Sequence, residues 1–250
     1  MADRTLAYVR KAFNWQATRD DSFTPPIVRG MARTKPSERK RTRVLDDQEI
    51  RDLWTALDEL KSDAPQCYPR FVRTLLYIAQ RREEVSRMVW EEIEGNIWTI
   101  PKERSKNKLP NVVPLTTEVR DLLGPKQKGG FVFSNEKDRR RAFSGFSKAK
   151  AAVDRKFADL RKREGRPPMP HWMHHDLRRT GRSLMSRAGV SPDIAERVLG
   201  HVIPGVRGTY DCYEYFDEKC DALEKLAALV ERILDPTDVV LAFPKQPMRG

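Results

Sequence analysis

From Leu45 to Leu234 apolar residues return every three or four positions, segment after segment, and this spacing commits the chain to helices that each bury one face. The first such stripe is Ile50, Leu53, Trp54, Leu57 and Leu60. Ahead of it Asp46 is placed to cap a helix with Glu49 as its capping-box partner, and Leu45 and Ile50 are spaced for a hydrophobic staple. Phe71 to Ile78 reads as a central, mostly apolar helix, and Val85, Met88 and Val89 begin another helical face. A long basic helix follows from Phe143, marked by Phe146, Lys150, Val153, Phe157 and Leu160, and the stretch Gly165 to Pro170 breaks it. Helices are expected over Asp176 to Ala188, Pro192 to Leu199 and Asp217 to Leu234. Three short runs depart from this period: Ile97 to Ile100, Val112 to Leu115 and Phe131 to Phe133. They predict a small antiparallel sheet with Lys106 in its first turn. The expected class is therefore α+β, mainly α.

The N-terminal stretch is different. Leu6, Val9, Phe13 and Ala17 mark one amphipathic helix over Thr5 to Ala17. The stretch from Asp20 to Arg43 holds Pro25, Pro26, Gly30 and Pro36 and the basic cluster Arg39, Lys40 and Arg41, which is linker composition. A lone helix followed by a linker predicts the tail of a preceding domain over residues 1–43, a main domain over 44–235 and a short tail over 236–250. The 250 residues carry 48 Lys and Arg against 36 Asp and Glu, a formal charge of +12. That balance favours a polyanionic partner through Coulomb attraction and counterion release. No apolar run approaches the roughly 18 residues that span a bilayer. Three dispersed cysteines, Cys67, Cys212 and Cys220, form neither a disulfide framework nor a metal pair, and point to a reducing, cytoplasmic setting.

Four segments hold the unusual polar residues. They are Ala79 to Val85, Glu103 to Lys108, His174 to Arg179, and Leu199 to His201 with Tyr210 nine positions on. Each has a bland reading. Arg81, Arg82, Glu83 and Glu84 make a solvated helix face with internal charge pairs. Lys106 and Lys108 are surface lysines of a turn. His175 and Arg178, three apart, share a helix face. His201 sits where a helix dipole stabilises it, and Tyr210 is a half-buried core tyrosine. A sharper rival also exists. Leu184 to His201 has the outline helix, Gly189-containing turn, helix, which is that of a helix-turn-helix DNA reader.

Taken together and in order, the four segments resemble the tyrosine recombinases, the integrases of phages and genomic islands. The pattern is Arg81 with Glu84, Lys106 in a β-turn, His175-Asp176-Leu177-Arg178, Leu199-Gly200-His201, then Tyr210. The resemblance spans roughly Leu45 to Leu234. One departure is Ala79, where the family often has glycine, a backbone-permissive residue.

The resemblance implies a catalytic domain that cleaves and rejoins duplex DNA through a 3′-phosphotyrosine and a free 5′ hydroxyl. Tyr210 would be the nucleophile, with Tyr213 its local competitor. Arg81 and Arg178 would clamp the non-bridging oxygens, a fork geometry that lysine lacks. His201 would add a third donor, His175 would act as base and Lys106 as acid, and Glu84 would orient its neighbours. Phenol ionises near pH 10, so at neutral pH only about one in a thousand is the anion, a deficit of roughly 4 kcal/mol that base and field must offset. The covalent link conserves the bond energy, so no cofactor is expected: no ATP, and no metal, in keeping with a sequence that shows no ligand cluster and no Walker or Rossmann fingerprint. Residues 1–43 would end a core-binding domain. Arg39, Lys40, Arg41, Lys148 and Lys150 would touch DNA phosphates. Expected partners are attachment-site DNA, further copies in a tetrameric synapse, and accessory DNA-bending or directionality proteins. The helix Asp217 to Leu234 either closes its own core, the favoured reading, or docks on a neighbouring subunit. Two rivals stay open: a type IB topoisomerase and a non-catalytic helix-turn-helix regulator.

Overall fold

The computed structural model describes residues 2–32, 34, 41–135, 138–201 and 213–236. The chain divides into two compact units, Met1–Thr42 and Arg43–Gly250. In the first, α1 (Ala2–Ala17) is followed by a loop that folds Phe23 against Phe13, with ring centroids 5.9 Å apart. The Arg19 guanidinium lies 3.8 Å over the Trp15 ring.

The second unit is a helical assembly around α3. Its helices are α2 (Asp47–Asp58), α3 (Cys67–Ile78), α4 (Arg82–Ser86), α5 (Thr117–Leu123), α6 (Phe146–Arg163), α7 (His174–Arg187), α8 (Pro192–Val198) and α9 (Phe216–Leu234). The capping box forms as expected: Glu49 N–H donates to Asp46 Oδ1 at 2.8 Å, and Asp46 N–H donates to Glu49 Oε2 at 2.9 Å. Leu45 and Ile50 are both buried. The backbone N–H of Leu45 donates to Thr180 Oγ1 at 3.0 Å, fastening the domain's first residues to α7. The α2 and α6 helices meet at a buried ion cluster. Asp52 accepts from Arg161 Nε at 2.9 Å and from both terminal nitrogens of Arg166 at 2.8 Å.

The small sheet runs β1 (Ile93–Glu94), β2 (Ile97–Ile100), β3 (Asn111–Pro114), antiparallel throughout. Thus β2 lies where the sequence placed it, and β3 starts one residue early. Phe131 to Phe133 is not a strand, contrary to expectation. Phe131 makes a single bridge to Val89, Val132 N–H donates to Met88 O, and Phe133 O accepts from Phe143 N–H. The run is apolar because Val132 and Phe133 are buried, not because it pairs along a ladder. A second hairpin, β4 (Ser134–Asn135) with β5 (Asp138–Ala142), had no apolar alternation to announce it.

Helix α9 closes the domain's own core. Leu223, Leu226, Val230 and Ile233 are buried, and the helix packs on α8, α2, α7 and β3. Lys219 is buried with them. Its Nζ donates to Val112 O at 2.9 Å, which ties α9 to β3, and burial lowers its pKa.

Candidate active site

Helix α3 ends at Ala79, whose φ of 50° and ψ of 27° are left-handed. This turn reverses the chain and starts α4 with Arg81 at its N-cap. The departure from glycine thus falls on a position where glycine is the unstrained residue. Arg81 is gripped by Glu84: Nη1 donates to Glu84 Oε1 at 2.8 Å and the Arg81 backbone N–H donates to Glu84 Oε2 at 3.1 Å. Glu84 is buried, so the pair is shielded from solvent on one side.

Arg178, on α7, is buried and holds the site together from below. Its Nη1 donates to Ala79 O at 2.9 Å, and its Nη2 donates to Leu199 O at 2.7 Å and to His201 Nε2 at 2.9 Å. An arginine has only hydrogens to give, so His201 Nε2 is the acceptor and the ring proton lies on Nδ1. There Glu196 Oε2 receives it at 2.5 Å. His201 was expected to donate; in this arrangement its Nε2 faces Arg178 as an acceptor. Burial, then the charge of Arg81, pulls the Arg178 pKa down to about 10, which leaves it protonated at neutral pH.

Leu199-Gly200-His201 is shaped by packing. Leu199 is buried at the end of α8, and Gly200 turns with φ 61°. A Cβ there would be strained at this φ and would stand 2.8 Å from Asn111 Nδ2, so glycine is the residue that suits this turn beside β3.

An open cleft of about 410 Å3 is lined by Arg81, Glu84, Arg104, Lys106, His174 and His175, among others. Lys106 stands exposed on the β2–β3 loop. His175 is exposed at the start of α7; partial burial and then the guanidiniums of Arg179 and Arg178 hold its pKa below the ordinary value. Its neighbour His174 is buried. Tyr68 Oη and His174 Nε2 share a hydrogen bond at 2.8 Å, and the ring packs among Phe71, Phe146 and Trp172. Burial, aided by the charges of Arg82 and Lys150, takes its pKa down to about 4.

Other expected residues fall elsewhere. Tyr210, Arg39 and Lys40 lie outside the described residues, and Arg41 belongs to the first unit. Lys148 is exposed at the start of α6, beside a separate cleft with Lys61 and Gly145. The Nζ of Lys150 is bonded to both oxygens of Asp154 at 2.6 Å and lies 4.5 Å from the centre of the Trp172 ring. Sequence reasoning assigned no part to Arg104, Asn107, Gln80 or Glu196. Gln80 Nε2 donates to Ile78 O and Val198 O, joining α3 to α8. Gln80, Arg104 and Asn107 lie inside the polar segments and Glu196 just before the last of them, which was their sequence signal.

The cleft gathers the guanidiniums of Arg81, Arg82 and Arg104, the Lys106 ammonium and the His175 imidazole, a set suited to an anionic ester whose charge grows during reaction. Comparisons with known proteins identify the family and the fold. Residues 43–210 match the model of the phage integrase family. Prophage integrase IntZ of Escherichia coli (strain K12) is 28% identical over 171 residues, which are 65% of this chain and 39% of that protein. Among solved structures, a lambda integrase dimer bound to a COC′ core site superposes with a TM-score of 0.57 at 18% identity, covering 86% of this chain and 59% of that one. The Tn1549 transposon integrase (residues 82–397) in complex with circular intermediate DNA gives 0.56 at 14%, covering 87% and 76%. A lambda integrase tetramer bound to a Holliday junction gives 0.57 at 19%, covering 80% and 58%. These structures share the fold, and the family match spans the four polar segments, so the chain belongs to the phage integrase family of tyrosine recombinases.

Proposed function

We propose that this chain is the catalytic part of a site-specific DNA recombinase that integrates or excises a mobile element. The observation that carries this reading is one cleft holding Arg81, Glu84, Lys106 and His175, with Arg178 and His201 bonded to each other beside it. In the proposed reaction, the Tyr210 hydroxyl oxygen attacks the scissile phosphorus and its proton passes to His175. The bond to the 5′ oxygen breaks, and Lys106 supplies that oxygen's proton. Arg81 and Arg178 hold the non-bridging oxygens as their charge grows. His201, bonded to Arg178, stands beside the same phosphate as the third member of this clamp. Rejoining is the same sequence reversed, with a 5′ hydroxyl from the partner duplex as attacker.

The proposal extends to the rest of the chain. Residues 1–43 supply the end of a core-binding domain and a basic linker, and 44–235 the catalytic domain. Four copies act on two synapsed attachment sites in the cytoplasm, with accessory DNA-bending or directionality proteins setting the outcome. Arg41 and Lys148 serve as phosphate contacts, and Arg39 and Lys40 extend the basic linker.

A nicked suicide substrate carrying the element's attachment site tests the reading, followed by denaturing electrophoresis and peptide mapping. The expected result is a covalent adduct on Tyr210 that Tyr210→Phe abolishes while DNA binding persists. No adduct on an authentic site overturns the reading, and an adduct on Tyr213 overturns only the choice of nucleophile. Relaxation of supercoiled DNA without a second site would instead favour a topoisomerase.

A further inference from the structure

The ten-residue loop Pro101 to Pro110 between β2 and β3 carries Lys106 out over the cleft. Such a loop has no ladder to hold its tip, and the Lys106 side chain is exposed. Yet the loop is tethered on both sides of Lys106. Two residues before it, Arg104 donates through Nε to Glu92 Oε1 at 3.1 Å, through Nη2 to Glu92 Oε2, and through Nη1 to the backbone carbonyl of Glu84 at 3.1 Å. Glu92 is itself fixed, because the buried Trp98 indole donates to its Oε2 at 2.9 Å. This tether therefore reaches from the β2 core to the helix that holds Arg81. One residue after Lys106, Asn107 Nδ2 donates to Gly200 O at 2.8 Å. Its Oδ1 accepts from Ser105 Oγ at 2.5 Å and from Leu109 N–H at 3.3 Å, which locks the amide so that its NH2 faces the glycine. This second tether reaches the turn that holds His201 and leads on to Tyr210.

We propose that Arg104 and Asn107 are positioning residues that hold Lys106 in register with the two ends of the cleft, so that proton delivery to the leaving 5′ oxygen depends on both. Neither acts on the substrate. The Asn107 tether has a particular consequence. It joins the loop bearing the acid to the turn preceding the nucleophile, so the acid is presented only when the Leu199-Gly200-His201 turn is in place. Proton transfer demands heavy-atom contact of roughly 3 Å, and a misplacement of about 1 Å can cost on the order of 100-fold in rate. A loosened loop should therefore damage proton donation before it damages DNA binding or the clamping of the phosphate.

The inference rests on the recombinase reading, and its test separates the two. Single-turnover adduct formation is measured on paired suicide substrates, one with the ordinary 5′ oxygen at the scissile bond and one with sulfur in its place. A thiolate leaves without a proton, since thiols ionise near pH 8.5, so the sulfur substrate does not need the acid. Lys106→Ala, Arg104→Ala and Asn107→Ala should all slow the oxygen substrate, the last two by about 10- to 100-fold, and all should cleave the sulfur substrate within about threefold of the parent. Equal slowing of both substrates by Arg104→Ala and Asn107→Ala overturns the inference, as does no slowing of the oxygen substrate. A parent chain that forms no adduct with either substrate overturns the recombinase reading and the inference together. Should Arg104→Ala lower the melting temperature, Asn107→Ala, on a half-exposed loop, carries the test alone.

Discussion

The adjacent residues His174 and His175 show how one dipeptide is divided between stability and chemistry. His175 lines the cleft, where partial burial and then the guanidiniums of Arg179 and Arg178 disfavour its cation, so it is fit to take a proton at neutral pH. Adduct formation should fall on the acid side of 6.5 as the ring takes up its proton. His175→Gln should lower the neutral rate by about 10²-fold or more and remove that acid limb; a limb that persists would assign the base elsewhere. His174 is the opposite case, a buried ring whose pKa is near 4 when folded against 6.5 when exposed. Between these values the unfolded chain binds more protons than the folded one. Its contribution is thus fully present above 6.5 and is lost as pH falls toward 4, up to about 3 kcal/mol. Denaturant titrations at neutral pH and near pH 5 should show a smaller loss in His174→Gln than in the parent. Arg178 belongs at the same scale, since two backbone carbonyls and a histidine use its fork. Arg178→Lys should cut adduct formation by about 10²- to 10³-fold, because an ammonium cannot span those partners and a phosphate. The order of these residues made the site legible in the sequence. The tethers on Arg104 and Asn107 were not legible, because their partners Glu92 and Gly200 are brought near only by folding.

At the scale of elements, periodicity located α2, α3, α6, α7, α8 and α9, each of which buries one stripe, but it missed the short α5, and the face expected from Val85, Met88 and Val89 stops being helical at Ser86. It failed for Phe131 to Phe133, where burial came from tertiary packing, and for the charged strand β5. It also gave no hint of how closely α3 and α7 approach. Ala79 ends α3 in a left-handed turn, and Gly181 of α7 lies against it. A Cβ on Gly181 would stand 2.9 Å from Ala79 Cβ and 3.0 Å from Leu76 O. The methyl missing from one helix makes room for the methyl present on the other. Gly181→Ala should therefore destabilise the protein by about 1–3 kcal/mol through overpacking. Ala79→Gly should be nearly neutral, relief of roughly 1 kcal/mol of left-handed strain being offset by backbone entropy and the absence of a packed methyl. The double variant should recover part of the Gly181→Ala loss but not all, since Leu76 O still obstructs. Thermal melts of the four proteins would reveal the coupling, and strictly additive changes would show that the two positions do not share this space.

For the whole domain, the placement of α9 bears on a choice that the sequence left open. Helix α8 is only seven residues long, and its second half is tied down: Glu196 bonds Arg182 and His201, and Arg197 lies over the Tyr215 ring at 3.8 Å. That half presents the Leu199-Gly200-His201 turn. Helix α9 covers α8 and also touches α2, α7 and β3, so it joins the first and last elements of the domain. Arg51 of α2 reinforces that closure by donating to Ile233 O at 3.1 Å. A C-terminal helix meant for a neighbouring subunit would leave its apolar stripe open in a single chain; here Leu226 is fully buried within its own domain. Leu226→Ala should then cost about 2–5 kcal/mol, the range for emptying a closed core site. The melting temperature of both parent and variant should be independent of protein concentration, because Leu226 packs entirely within its own chain. A parent melting point that climbs with concentration, or a Leu226→Ala protein that keeps its melting point but loses self-association, would place α9 in an interface between copies instead.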